Sequence, residues 1–243
     1  MGRSASGPAG APWLAFDTSG AQGSVALGRV SAEGLEVLSH VAIEERMEQA
    51  ARLVPAIDEA LRAAGIERTG LAGIAVGEGP GSFTGVRVAA ATAKGLTHAL
   101  ELPLRAVSSL AAAALAHDAG GVRYVLFDAR ADRVYGACYG VGRAGLQELA
   151  PPHPGTLRDV LAGDLPAGVV FVGDGALRHR AVIEAAGYPV DPGDGTASLA
   201  VGLLRYVALD PGGAPVADLS SWEPAYVRAT RAEPHGSTTP WST

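Results

Sequence analysis

Three short segments carry residue types that could do chemistry. Asp17-Thr18-Ser19-Gly20 follows an apolar run and precedes another. In a tight turn between two strands, its hydroxyls and backbone N–H groups could cradle a phosphate, and a strand-end Asp could hold Mg²⁺ through water. The same residues also shape ordinary turns. The second segment, Gly77 to Arg87 (GEGPGSFTGVR), has four glycines within nine residues, which implies close approach of backbone to another surface. Ser82 or Thr84 is placed to cap a helix starting near Gly85, leaving a helix N-terminus open to an anion; a plain strand-to-helix loop would look the same. The third is Gly173-Asp174-Gly175-Ala176, which suits either a backbone contact to a nucleotide or an N-capped turn. The candidate nucleotide-binding residues are therefore Asp17, Thr18, Ser19, Gly79, Gly81, Ser82, Gly173 and Gly175.

Other chemistries find no support. The histidines stand at His40, His98, His117, His153, His179 and His235, none within five residues of another, so no pair shares a helix face as a local zinc site requires. No P-loop is present, since Lys94 follows Ala93 within a helical pattern, and no Gly-x-Ser-x-Gly elbow occurs. Gly77-Glu78-Gly79-Pro80-Gly81 lacks the final glycine of a dinucleotide fingerprint and has a proline within it. No metal ligand and no catalytic residue is assigned.

The elements that must position these segments follow from periodicity. Trp13–Asp17, Ser24–Leu27 and Leu35–His40 read as strands, and a helix runs from about Glu45 to Ala64 with Met47, Ala50, Ala51, Val54, Ile57 and Leu61 on one face. Pro55 should kink it, and Asp58 with Arg62 forms an i,i+4 pair. Gly73–Gly77 is a strand, Gly85 to about Leu100 a helix, Leu104–Val107 a strand, and the Ala-rich stretch after Ser109 a helix. Beyond residue 120, Val122–Phe127 and Arg133–Tyr139 make a hairpin, Val141 to Gly168 is turn-rich, and Val169–Gly173 is a strand. Ala176–Ala186 and Ala197–Leu209 are helices, with a last short strand at Ala225–Arg228.

With 243 residues the chain can bury roughly 70–75% of its unfolded surface without staples. The single cysteine, Cys138, suits a small buried strand position in a reducing cytosol. A formal net charge of -6 argues against autonomous RNA binding, and clusters such as Arg178-His179-Arg180 or Arg130, Asp132 and Arg133 read as solvated surface. No apolar stretch is long enough to span a membrane, and the N-terminus has no apolar core of a signal peptide. The expected division is a flexible tail at 1–12, a first lobe at 13–116, a smaller second lobe at 117–231 whose last helix packs back on the first, and a tail at 232–243. Cytoplasmic localisation is expected.

Taken together, FDTSGAQGSVAL (Phe16 to Leu27), RLVPAIDEAL (Arg52 to Leu61), Gly77 to Leu110 with its specific GPGSFTGVR run, DARADRVYGACY (Asp128 to Tyr139), FVGDGA (Phe171 to Ala176) and PAYVR (Pro224 to Arg228) resemble the bacterial TsaB (YeaZ) family. The resemblance implies an α/β, two-lobed actin-like ATPase (ribonuclease H-like) fold: mixed sheets with flanking helices and a reduced second lobe. It further implies a non-catalytic subunit needed for threonylcarbamoyladenosine modification of tRNA beside the anticodon. Such a subunit pairs with a TsaD-type catalytic paralogue, works with a TsaE-type ATPase, and meets tRNA only through the complex. The paralogue's metal-binding His-x-x-x-His motif falls here on Ser109 to Ala113, and Gln49 stands where many relatives have histidine. No cofactor is required, and any nucleotide binding would be vestigial. The expected partner interface comprises Met47, Ala50, Val54, Val86, Ala89, Ala90, Ala93 and Leu96, and a homodimer in isolation is compatible with it. The rival reading is an active nucleotide-dependent phosphotransferase or ATPase centred on Asp17.

Overall fold

In the computed structural model, residues 10–31, 34–44, 49–116, 120–143, 145–191, 193 and 198–225 are described. The first half consists of strands β1 (Pro12–Asp17), β2 (Gly23–Ser31) and β3 (Gly34–Ile43), helix α1 (Gln49–Ala64), strand β4 (Gly73–Gly77), helix α2 (Phe83–Leu100), strand β5 (Leu104–Val107) and helix α3 (Ser109–Leu115). The second half has β6 (Gly121–Asp128), β7 (Arg133–Gly142), β8 (Gly145–Thr156), α4 (Leu157–Ala162), β9 (Val170–Val172), α5 (Asp174–Arg178), α6 (Arg180–Ala185) and α7 (Leu199–Leu209).

The first sheet has the order β3-β2-β1-β4-β5, antiparallel from β1 to β3 and parallel from β1 through β4 to β5. The second sheet, β8-β7-β6-β9, repeats that order. A fifth strand survives there only as a single parallel bridge, Phe171 to Val190. Each half also ends in a helix, α3 or α7. The mixed α/β architecture with a reduced second sheet is the one the sequence led us to expect.

Alternation along the strands sorts the core into layers. Leu14, Phe16, Val25, Leu27, Ile74 and Val76 face α1 and α2. Their neighbours Ala15, Ala26 and Ala75 face the other way, toward Leu110–Ala114 of α3 and Ala200, Leu203, Leu204 and Val207 of α7. Val125, Phe127, Ala137, Tyr139 and Val172 of the second sheet close on those same two helices. On its outer face Tyr124, Leu126, Cys138 and Phe171 pack against Leu157, Val160 and Ile183. The order is thus helices, sheet, helices, sheet, helices. Small residues on one face of the first sheet let α3 and α7 lie close.

Four expectations need correction. The stretch from Val141 to Gly168 holds a twelve-residue strand, β8, and the helix α4. Pro151, Pro152 and Pro154 argued for turns, but β8 is an edge strand and tolerates them. On α1 the buried stripe is Leu53, Ala56, Ile57, Ala60 and Leu61, whereas Ala50, Ala51 and Val54 are exposed. The helix from Ala176 to Ala186 is two short helices broken at His179. Asp58 forms an ion pair with Arg68 at 2.7 Å. Met47 and the stretch beyond Ala225, including Tyr226–Arg228, lie outside the described residues, as does the side chain of Gln49. No helix among the described residues is long and apolar enough to cross a membrane.

Candidate functional site

Asp17 ends β1 with no exposed surface. Its Oδ1 accepts the Ser19 N–H at 2.6 Å, and its Oδ2 accepts the Ser109 hydroxyl at 2.6 Å. Ser109 Oγ in turn accepts the Gly79 N–H at 3.0 Å, and the Ser109 N–H donates to the Gly79 carbonyl at 2.8 Å. One hydroxyl near the start of α3 therefore ties β1 to the loop after β4. Gly77 is required there because a Cβ would overlap the Asp17 carboxylate. Burial pushes the Asp17 carboxyl above its ordinary range, against the opposing effect of the Ser109 and Ser19 hydrogen bonds.

The rest of the turn is closed by the same loop. The Thr18 hydroxyl donates to the Gly85 carbonyl at 2.6 Å, and the Ser82 N–H donates to the Ser19 carbonyl at 2.7 Å. Ser82 caps α2, accepting the Gly85 N–H at 3.4 Å, so the helix begins two residues before the expected Gly85. Gly81 passes so near Ser19 that a Cβ would sit 2.5 Å from its carbonyl oxygen. The N–H groups of Ser19, Ser82 and Gly85 are already engaged by the chain itself. Thr18 and Ser19 are buried with Asp17. The Asp17–Ser19 turn is thus closed by hydrogen bonds within the chain.

Gly173 and Gly175 belong to the equivalent place in the second sheet. Gly173 adopts φ +99°, and its Cβ would come 2.5 Å from the Leu126 carbonyl; that of Gly175 would come 2.9 Å from the same atom. Asp174 accepts the Asp128 N–H at 3.0 Å, and Asp128 pairs with Arg178 at 2.6 Å. Both glycines serve close packing of the α5 turn on the end of β6. The two halves meet at a cavity of about 310 Å³ lined by Gly81 to Thr84 on one side and by Asp128, Ala129, Arg130 and Tyr135 on the other. Asp17 does not line it. Among the described residues, no cluster of three or more His, Cys, Asp or Glu side chains could hold a metal.

Residues 36–176 match the family described as TsaD: tRNA N6-adenosine threonylcarbamoyltransferase. A Bacillus subtilis protein described as tRNA threonylcarbamoyladenosine biosynthesis protein TsaB is 32% identical over 176 residues, covering 70% of this chain and 74% of that protein. The chain belongs to the TsaB family. Two solved structures from Pseudomonas aeruginosa agree in fold. YeaZ superposes with a TM-score of 0.69 at 27% identity, covering 89% of this chain and 99% of YeaZ. A protein described as similar to peptidase YEAZ gives 0.73 at 28%, covering 90% and 100%. The resemblance read from the sequence is borne out.

The helical residues expected to meet a partner differ in exposure. Val86, Ala89, Ala90 and Ala93 are buried, with Ala89 and Ala93 packed in the core against β1 and β4. They are not available to a partner. Leu96 is half-buried. Ala50 is exposed and Val54 is 53% exposed. Sequence reasoning missed Phe83, which is 59% exposed with the Arg87 guanidinium 3.8 Å from its ring centroid. The i,i+4 spacing of Phe83 and Arg87, off the Val86-Ala89-Ala93 stripe, was the available signal.

Proposed function

We propose that the chain is a non-catalytic scaffold subunit for threonylcarbamoyladenosine modification of the adenosine beside the tRNA anticodon. In this reading it works in the cytoplasm, binds a TsaD-type catalytic paralogue, and is joined by a TsaE-type ATPase. It requires no cofactor of its own, and tRNA is met through the complex. The naming of its relatives supports the pathway. The observation that supports the scaffold role is the closure of the Asp17–Ser19 turn, where the Ser82 N–H bonds the Ser19 carbonyl and the Asp17 carboxyl is buried among partners from its own chain.

The peptidase wording attached to one similar structure receives no support from this chain's chemistry. Cys138, its one thiol, is buried in β7, and burial pushes it up to about 11, away from the thiolate a nucleophile needs. A docking role draws instead on α1 and α2, which cover the outer face of the first sheet and carry exposed Val54 and Phe83.

Purified chain incubated alone with ATP and Mg²⁺ should show no turnover above buffer, while addition of the TsaD-type paralogue should yield a stable complex on gel filtration. Intrinsic hydrolysis lost on Asp17→Asn would instead establish the phosphotransferase reading.

A further inference from the structure

Residues 210–225 form neither helix nor strand, and none of them is buried. They nevertheless lie along the first sheet, fastened at both ends. At the near end Arg105 of β5, itself only 6% exposed, donates to the carbonyls of Asp210 at 3.1 Å and Gly213 at 2.8 Å, and approaches the Asp210 carboxylate at 3.3 Å. A Cβ on Gly213 would overlap that guanidinium. The Val216 N–H then donates to the Leu104 carbonyl at 2.8 Å.

Farther along, Asp218 accepts the Ser220 N–H and both the Ser220 and Ser221 hydroxyls, and the Trp222 N–H bonds back to the Asp218 carbonyl at 3.0 Å. This turn holds Leu219 and Trp222, with Val216, partly buried against the core cluster of the first sheet. Lys94 Nζ lies 5.6 Å from the Trp222 ring centroid, and the Glu78 side chain hydrogen-bonds Trp222. At the far end the Ala225 N–H donates to the Glu78 carbonyl at 3.0 Å. A Cβ on Gly79 would come 3.2 Å from the Ala225 carbonyl oxygen.

The segment therefore connects the end of α7, which lies between the sheets, to the very loop whose Gly79, Gly81 and Ser82 close over Asp17–Ser19. Apart from those made by the buried Arg105 and the Leu104 carbonyl, its holding contacts lie at partly exposed residues, and they are separate from the buried hydrogen bonds that join Asp17, Ser109 and Gly79. Segments with little buried apolar surface and little regular hydrogen bonding open without global unfolding. We infer that residues 210–225 are a releasable clasp. They detach as a unit while both sheets remain folded. Detachment uncovers the part of the first sheet's core that Val216, Leu219 and Trp222 cover and loosens the seating of the Glu78–Ser82 loop on the Asp17–Ser19 turn. The inference stands apart from the scaffold reading, since it concerns the isolated chain.

Native-state amide hydrogen exchange on the full chain tests it. In the wild type, the Val216, Trp222 and Ala225 amides should exchange at least about tenfold faster than those of β1, β4, β6 and β7. Arg105→Met and Trp222→Ala should each speed the strap amides further and, in step, those of Gly79 and Ser82, with β6 and β7 unchanged. Strap amides exchanging at the slow rate of the sheets in the wild type would overturn the inference. So would variants that free the strap but leave Gly79 and Ser82 unmoved.

Discussion

Asp17 concentrates the problem of this molecule at the scale of one residue. A carboxylate with no exposed surface must be held by donors, and here it has Ser19 N–H and Ser109 Oγ–H. Those two bonds do not fully offset desolvation, so its folded-state pKa lies above the ordinary 3.8. Above that ordinary value the folded chain keeps a proton that the unfolded chain has released. The stabilising contribution is then complete below 3.8 and is lost as pH rises through the raised value. Asn at this position has no charge to bury, and its amide could donate to Ser109 Oγ while its carbonyl accepts from Ser19. Denaturant unfolding of the wild type and Asp17→Asn at a series of pH values from 4 to 7 should show the variant gaining on the wild type as pH rises. A gap that stays constant across the series would mean the carboxylate is fully compensated.

Elements were legible where one signal dominated and obscure where two competed. β1, β4 and β5 are short, largely apolar runs ended by an acid, a glycine loop or a serine cap, and they appear where the sequence placed them. β8 was hidden by its prolines. In the ladder Gly136 pairs with His153 and Cys138 with Ala150, so Pro151 and Pro152 together face the one residue Ala137. They occupy a bulge on an edge strand, where a missing N–H costs nothing. No single-sequence rule separates that arrangement from a turn. On α1 two adjacent stripes were both apolar, and alanine at Ala50, Ala51, Ala56 and Ala60 made them nearly equivalent; only the β2 and β3 partners decide between them. On α2 the expected interface residues Val86, Ala89, Ala90 and Ala93 are buried, which has a testable consequence. Val54→Glu, on the exposed face, should leave the melting temperature within about 2 °C of wild type yet abolish co-purification with the TsaD-type paralogue. Ala93→Glu places a charge in the core and should cost at least about 3 kcal/mol, reducing soluble yield before any binding is measured. Retained co-purification by Val54→Glu would remove α1 from the docking surface.

At the scale of the whole molecule, the two halves are versions of one plan. Both follow antiparallel strands with a helix, a parallel strand, further helix, a fifth-strand position and a closing helix. Their element lengths diverge, with α2 spanning 18 residues where α5 and α6 span 5 and 6. The sequence therefore carries no repeat of fixed period. What joins the halves is the exchange of closing helices: α3 packs on β6 and β7, and α7 packs on β1 and β2. Each sheet borrows part of its inner cover from the other half. The two helices come into close contact at Gly202, where a Cβ would overlap the Ala112 carbonyl. That atom is backbone and cannot swing aside, so Gly202→Ala must push α7 from α3 and disturb both sheets at once. The substitution should cost about 1–3 kcal/mol, the usual range for overpacking, and calorimetry should still record one cooperative transition at a lower temperature. Two resolved transitions, in either the wild type or the variant, would show that the halves are independent and that the helix exchange does not couple them.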